Sequence, residues 1–143
     1  MKKRLFSIAA IIIFATLSTL SGTLFAQQEK ETDIKIVSVQ EANELIEENN
    51  ENPEFVILDV RTSEEYSDGH IPDSLNINYK SPNFNEEASK LGKEKIYLTY
   101  CRSGKRSAKS AEIMKEVGFE NIYMIDGGIV AWEKAGLPTS QNN

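Results

Sequence analysis

The stretch IYLTYCRSGKRSAKSAEIMKEVG, residues 96–118, decides the fold class of this chain. It opens with IYLTY, which is rich in the β-branched and aromatic residues typical of strands. Apolar residues then recur at helical spacing, at Ala108, Ala111, Met114 and Val117. A second strand-like segment, NIYMID (121–126), follows after Gly118, a residue that suits a left-handed helix end. Strand, helix and strand joined by short links predict an α/β domain built on a parallel sheet.

Upstream segments repeat this alternation of strands and helices. FVILDV (55–60) is nearly continuous in apolar residues, as expected of a strand covered on both faces. Weaker patterns predict a strand at SLNIN (74–78) and a helix at NFNEEASKLG (83–92). Two residue pairs have the spacing of a capping box, and each predicts a helix start: Ser38 with Glu41, and Thr62 with Glu65.

The first 26 residues have the organisation of a secretory signal peptide. Basic residues at positions 2–4 precede an apolar run over 5–17, and small polar residues follow up to Ala26. We expect cleavage after Ala26 and export to the periplasm or the extracellular space, with no membrane association after cleavage. The alternative is a retained membrane anchor, although the apolar run is shorter than the roughly 20 residues that cross a bilayer.

The charge balance restricts the partners of the mature chain. The full sequence has 16 basic and 22 acidic residues, a net charge of -6. Cleavage after Ala26 removes three basic residues and no acidic one, which leaves 13 basic and 22 acidic residues and a net charge of -9. Nucleic acids and anionic membranes would repel such a protein, so we expect it to bind neither. The basic cluster Arg102, Lys105 and Arg106 is a local exception in an acidic chain.

Cys101, which lies beside this basic cluster, is the only cysteine of the chain. An exported protein meets an oxidising compartment, in which thiols usually pair. A single cysteine has no partner within its own chain. Cys101 is therefore a buried bystander, an intermolecular crosslink or a reactive thiol.

The position and the neighbours of Cys101 favour a reactive thiol. It directly follows a predicted strand and precedes a helix, and ligands of parallel sheets collect at the carboxyl ends of strands. The helix start favours an anion and lowers the pKa of a nearby thiol. Gly104 lets the loop curl so that its N–H groups point at one centre, and the basic cluster attracts an oxyanion. The residues thus predict a nucleophilic thiolate; the alternative is an inert core cysteine.

Three motifs resemble the signatures of the rhodanese-like domain family of sulfurtransferases. CRSGKRS (101–107) is similar to the family's active-site loop: cysteine, two residues, glycine, one residue, arginine, then serine or threonine. LDVRTSEEYSDGHIPDSLNIN (58–78) resembles the first signature of the family, and MIDGGIVAWEKAGLP (124–138) resembles its closing signature. One departure is that Asp73 and Ser74 stand where the family commonly has glycine and alanine.

The resemblance covers residues 38–140 and implies both a fold and a chemistry. It implies a single rhodanese-like domain over 37–140, with a central parallel sheet flanked by helices on both faces. The polar residues at 27–36 predict a flexible lead-in, and 141–143 a short tail. In this family Cys101 would take a sulfane sulfur from thiosulfate or a similar anionic donor and hold it as a persulfide. Cyanide, a thiol or a protein acceptor would then remove the sulfur, with no metal or organic cofactor.

The same resemblance assigns the site residue by residue. It implies that Cys101 is the catalytic residue; Asp59, Arg61 and His70 are secondary candidates that come from the residues themselves and not from the resemblance. His70 is the only histidine, and within GHIP it more readily fixes a turn than activates the thiol. The residues expected to bind the donor are Arg102, Ser103, Gly104, Lys105, Arg106 and Ser107.

Two other functions stay open. A cysteine-dependent phosphatase of related fold also uses cysteine and arginine around an oxyanion, but in a longer loop than the four residues between Cys101 and Arg106. A sulfur-carrier module that acts with a partner protein would use the same loop chemistry. Trp132 is interpreted as a packing anchor, and the adjacent glycines Gly127 and Gly128 lack the spacing of a nucleotide fingerprint.

Overall fold

Five parallel strands form the sheet around which the described part of the chain is organised. The computed structural model describes residues 33–141; the predicted signal peptide at 1–26, most of the predicted lead-in and part of the predicted tail lie outside the described residues. The order of strands across the sheet is β1-β5-β4-β2-β3, and every neighbouring pair is parallel. The strands are β1 (Ile34–Val37), β2 (Phe55–Asp59), β3 (Leu75–Asn76), β4 (Ile96–Tyr100) and β5 (Asn121–Ile125).

Within the described residues, five helices link or follow these strands, and two of them start at the predicted capping boxes. Ser38 Oγ accepts a hydrogen bond from the Glu41 N–H (3.2 Å), while the Glu41 carboxylate accepts one from the Ser38 N–H (2.8 Å). Thr62 and Glu65 make the equivalent pair. None of the helices within residues 33–141 is long and apolar enough to cross a membrane. The helices are α1 (Val39–Glu48), α2 (Ser63–Asp68), α3 (Phe84–Ser89), α4 (Lys105–Glu116) and α5 (Gly128–Lys134).

The sheet separates two hydrophobic cores, because successive strand side chains point to opposite faces. On one face Tyr97 and Leu58 pack with side chains of α3 and α4. On the other face Leu98 and Tyr100 pack with side chains of α1 and α5, including Trp132. This arrangement confirms the predicted parallel sheet with helices on both faces. Trp132 is 1% exposed, which confirms its interpretation as a packing anchor.

The predicted lead-in at 27–36 is wrong for its last three residues, because Ile34–Val37 form β1. Ile34 pairs with Ile122, and Val37 pairs with Ile125. As an edge strand, β1 has a neighbour on one side only and leaves Ile36 64% exposed. Its polar surroundings therefore look like a linker, and only pairing with β5, far away in sequence, makes it a strand.

The strand order brings three connections together at one edge of the sheet. β4 lies between β2 and β5, so the residues that follow these three strands emerge side by side. Asp59 ends β2, Cys101 follows β4, and Gly127 precedes α5 after β5. The fold thus places all three signature motifs around the cysteine.

The Asp73 departure from the family pattern lies in a tight turn. The Ser74 N–H donates to the Ile71 carbonyl (3.2 Å), which closes a turn with Pro72 and Asp73 at its centre. Asp73 has φ 61°, a left-handed conformation that glycine adopts without strain and that aspartate tolerates better than most residues. Proline followed by a residue in the left-handed conformation is typical of the two central positions of a type II turn.

We expect Asp73→Ala to lower the free energy of unfolding by about 1 kcal/mol, because alanine has no polar side chain to support a left-handed backbone. Asp73→Gly and Asp73→Asn should be close to wild type. Urea unfolding of the wild type and the three variants measures these differences in the free energy of unfolding. Equal stability of the alanine and glycine variants would contradict the turn assignment.

Candidate active site

The cysteine loop, residues 101–104, is held in place by the first turn of α5. The Ile129 N–H donates to the Cys101 carbonyl (2.9 Å), and the Val130 N–H donates to the Arg102 carbonyl (3.2 Å). Because these carbonyls face α5, the loop can turn its own N–H groups toward the thiol. The Gly104 N–H donates to Cys101 Sγ at 3.1 Å.

Gly128 makes this close approach of α5 to the loop possible. A Cβ atom at this position would lie 2.4 Å from the Cys101 carbonyl oxygen and 2.8 Å from the Arg102 carbonyl carbon. Its φ of 59° is also a left-handed conformation. In the sequence, Gly127 and Gly128 belong to the closing signature and lack the spacing of a nucleotide motif, and neither observation predicts their contact with the loop. The signal for their role was present, since paired glycines at a strand–helix junction indicate close backbone contact.

The environment of Cys101 favours its thiolate form. The residue is 1% exposed, and such burial alone raises the pKa of a thiol. The backbone N–H and hydroxyl of Ser107 and the N–H groups of Ser103 and Gly104 act in the opposite direction, and the pKa of Cys101 is lowered. Hydrogen-bond donors around the sulfur therefore outweigh its desolvation.

Ser107 contributes its hydroxyl to two acceptors. Ser107 Oγ lies 2.9 Å from the Gly104 carbonyl oxygen and 3.6 Å from Cys101 Sγ. A hydroxyl has one proton, so it serves only one of them at a time. The shorter contact braces the loop, and the longer one becomes available when negative charge on the sulfur attracts the proton.

Arg106 and Glu65 form a bidentate ion pair. Its Nη1 and Nη2 atoms lie 2.6 and 2.7 Å from the two carboxylate oxygens of Glu65. Hydrogen bonds from Arg106 are the largest cause that lowers the pKa of Glu65, to about 2. The predicted contact of Arg106 with a donor stays a prediction. The exposed cations here are Arg102 in the loop and Lys105 at the first residue of α4.

A cleft of about 230 Å³ borders the cysteine loop. One wall is the end of α2 with Asp68, and the other is the first two turns of α5 with Val130 and Glu133. Arg102 of the loop and the buried Arg61 also line it. The described residues 33–141 contain no group of three or more acidic, histidine or cysteine side chains placed to hold a metal ion.

Comparison with known proteins finds a family that matches this chain. The sequence profile of the rhodanese-like domain matches residues 38–135. The chain belongs to the rhodanese-like domain family. Thiosulfate sulfurtransferase 16 of Arabidopsis thaliana is 39% identical over 92 residues, which cover 57% of this chain and 77% of that protein. Thiosulfate sulfurtransferase GlpE of Coxiella burnetii is 36% identical over 109 residues, which cover 76% and 95%.

Solved structures of rhodanese-like domains have the same architecture. The crystal structure of a rhodanese-like domain protein from Staphylococcus aureus has a TM-score of 0.62 and 28% sequence identity, and the match covers 77% of this chain and 100% of that one. This likeness confirms the predicted family and fold.

Two secondary candidates from the first rhodanese signature, Asp59 and Arg61, form a buried ion pair where β2 ends. Asp59 is fully buried and accepts from Arg61 Nε (3.0 Å) and Nη2 (2.6 Å). Arg61 Nη2 also donates to the Gly69 carbonyl (2.6 Å), and its guanidinium lies 5.6 Å from the centre of the Tyr100 ring. This buried pair fixes the end of β2 and the α2 side of the cleft.

His70 occupies a structural position in this rhodanese-like domain. Its Nδ1 lies 2.8 Å from the Tyr66 carbonyl oxygen, and its ring stacks on the Tyr66 ring at 3.8 Å. Its backbone exchanges two hydrogen bonds with Ser140. These contacts agree with the interpretation that His70 fixes a turn.

We expect Ser107→Ala to raise the pKa of Cys101, because the lost hydroxyl is one of the donors that favour the thiolate. The rate of alkylation by iodoacetamide, followed against pH, should show its inflection at higher pH than in wild type. Ser110→Ala is the matched control, since Ser110 is buried in the same helix and donates to the Ser107 carbonyl (2.9 Å). An inflection that does not move in Ser107→Ala would contradict the assignment.

The Glu65–Arg106 pair should make the domain acid-sensitive. The folded-state pKa of Glu65, about 2, lies below the value of about 4.3 in an unfolded chain. The pair therefore stabilises the fold above pH 4.3, and this contribution is lost as the pH falls toward 2. Glu65→Gln should be less stable than wild type at pH 7, with a difference that shrinks below pH 4.3.

Urea unfolding between pH 7 and pH 2.5 measures this difference. The control is Glu86→Gln, which removes an exposed ion pair with Lys90 (2.9 Å) of the kind that contributes little. A constant gap between wild type and Glu65→Gln at all pH values would refute the linkage.

Proposed function

We propose that this protein is a sulfurtransferase that carries sulfane sulfur as a persulfide on Cys101. The donor is thiosulfate or a similar anion, and the acceptor is cyanide or a thiol. The observation that carries the proposal is a buried sulfur atom which accepts hydrogen bonds from its own loop and from Ser107. The names of the relatives from Arabidopsis thaliana and Coxiella burnetii support the same chemistry.

In the first half-reaction the Cys101 thiolate attacks the outer sulfur of thiosulfate. A bond forms between the two sulfur atoms, the sulfur–sulfur bond of thiosulfate breaks, and sulfite leaves with the electron pair. The charge of the thiolate passes to the outer sulfur of the new persulfide. Loop N–H groups that already point at Sγ are positioned to stabilise this charge, as in an oxyanion hole.

In the second half-reaction the acceptor attacks the outer sulfur of the persulfide. Cyanide yields thiocyanate, and a thiolate yields a new persulfide. In each case the bond to Cys101 breaks, and its electron pair restores the Cys101 thiolate. The same donors that lower the pKa of Cys101 make this thiolate a better leaving group.

Arg102 and Lys105 are the cations best placed to attract an anionic donor. Both are exposed, and both lie on the loop or at the first residue of α4. Ser103 is also exposed, whereas Ser107 is fully buried beside the sulfur. We assign donor attraction to the exposed residues and stabilisation of the thiolate to Ser107 and Gly104.

Two observations make phosphatase activity a weaker candidate. Only four residues separate Cys101 from Arg106, so the loop encloses a sulfur atom more closely than it would a phosphate group. In addition, both terminal nitrogens of Arg106 already donate hydrogen bonds to the Glu65 carboxylate. A phosphatase of this type would need that arginine to hold the phosphate oxygens.

We also propose that the chain acts outside the cytoplasm after removal of residues 1–26. The support is the pattern of basic, apolar and small polar residues in the sequence. Fractionation of cells that produce the full chain, followed by N-terminal sequencing, tests this proposal. A cytoplasmic product that still contains residues 1–26 would refute it.

Formation of thiocyanate from thiosulfate and cyanide should fall to background in Cys101→Ser. Intact mass after thiosulfate treatment should show a gain of one sulfur atom in wild type only, and the gain should disappear when cyanide is added. Equal thiocyanate production by both proteins would remove the proposal. Transfer of the sulfur to a protein thiol but not to cyanide would instead establish the carrier alternative.

A further inference from the structure

The cleft beside Cys101 presents three charged side chains that are not already paired. Arg61 is bound by Asp59, and Glu65 is bound by Arg106, so these lining residues carry no free charge. The remaining charged residues of the lining are Arg102, Asp68 and Glu133. Among residues 33–141 no ion pair or hydrogen bond engages the charged groups of these three, and the Gln141 side chain donates only to the backbone carbonyl of Asp68.

Helix geometry places the unpaired carboxylates further from the cysteine loop than the unpaired cation. Glu65 reaches the loop through Arg106, and Asp68 lies one turn further along α2, about 4.5 Å in rise. In the same way the Val130 N–H contacts the loop carbonyl of residue 102, and Glu133 lies one turn further along α5. Arg102 directly follows Cys101 in the cysteine loop. The lining of the cleft is therefore positive next to the cysteine loop and negative one helical turn away from the loop.

We infer that the sulfur acceptor of this site is a small aminothiol, a thiol whose carbon chain carries an ammonium group. The inference rests on the proposed sulfurtransferase function. The ammonium group fits between Asp68 and Glu133, and the thiolate points inward past Arg102 to the persulfide. The exposed side chain of Val130 offers an apolar surface for the connecting methylene groups.

The volume of the cleft agrees with an acceptor of this size. At about 230 Å³ it is smaller than the roughly 300–1,000 Å³ of pockets that hold drug-sized ligands. Cysteine and cysteamine have few non-hydrogen atoms and combine a thiol with an ammonium group two carbons away. The chemistry of the lining therefore identifies a class of acceptor, of which these two molecules are probes.

The transfer step balances without any further reactant. The aminothiol loses its proton to solvent, and its thiolate attacks the outer sulfur of the Cys101 persulfide. The new sulfur–sulfur bond forms as the bond to Cys101 Sγ breaks, and the electron pair of that bond remains on Cys101. The products are an aminothiol persulfide and the Cys101 thiolate, with the same total charge as the reactants.

The two carboxylates have opposite effects on the two half-reactions. They attract a cationic acceptor, but they repel thiosulfate, which carries two negative charges. Removal of their charge should therefore slow transfer to an aminothiol and accelerate loading from thiosulfate. A change of opposite sign in the two steps distinguishes electrostatic selection from general damage to the site.

The test uses the double variant Asp68→Asn/Glu133→Gln in single-turnover experiments at low salt. The protein is first loaded with thiosulfate, and the persulfide is verified by intact mass. The rate of sulfur transfer is then measured with cysteamine and with 2-mercaptoethanol, a neutral thiol of the same chain length. The ratio of the two rates in the variant, divided by the ratio in wild type, cancels the intrinsic difference in thiol reactivity.

We expect this ratio to fall about three- to tenfold, as the loss of two charges at a partly solvated site implies, and loading from thiosulfate to become faster. The matched control is Glu112→Gln/Glu116→Gln, which removes two exposed carboxylates from α4 and should leave the ratio unchanged. An unchanged ratio in the cleft variant, an equal fall in the control, or a change of the same sign in both half-reactions would overturn the inference. Absence of any persulfide in the wild-type protein would instead refute the proposed function.

Discussion

The contact between the start of α5 and the cysteine loop is the constraint on which the site depends. Two N–H groups of α5 hold the carbonyls of Cys101 and Arg102, and this leaves the loop N–H groups free to face the sulfur. The contact requires that residue 128 has no Cβ, since that atom would lie 2.4 Å from a carbonyl oxygen. Burial and hydrogen bonding at Cys101 follow from this arrangement, because the buried thiol is stable as an anion only where donors replace water.

The charged residues around the site fall into two groups. Some form ion pairs that stabilise the site, and others are unpaired and can contact a substrate. Asp59 with Arg61 and Glu65 with Arg106 neutralise each other and connect β2, α2 and α4. The charge of these four residues is therefore used within the fold. Among the described residues that line the cleft, Arg102 is the cation that no ion pair engages, since Arg61 is bound by Asp59.

Local patterns predicted most of the fold correctly. The capping boxes at Ser38 and Thr62 depend on contacts between residues three apart, so the sequence displays both partners together. The apolar run over 55–60 predicted β2 because a strand buried on both faces needs no polar residues. The local pattern places residues 34–36 of β1 in the lead-in, because the pairing partner β5 lies far along the chain and the exposed residues of β1 resemble those of a linker.

The sequence by itself determined that Cys101 stands between a buried strand and a helix, with a glycine that lets the loop curl around the sulfur. These features are local, and elementary preferences of the backbone suffice to predict them. Only the tertiary structure decided that Arg106 pairs with Glu65, which lies 41 residues earlier, and that Gly128 touches the loop. The physical reason is that such contacts depend on which strands lie side by side, and no local sequence pattern specifies the order of the strands across a parallel sheet.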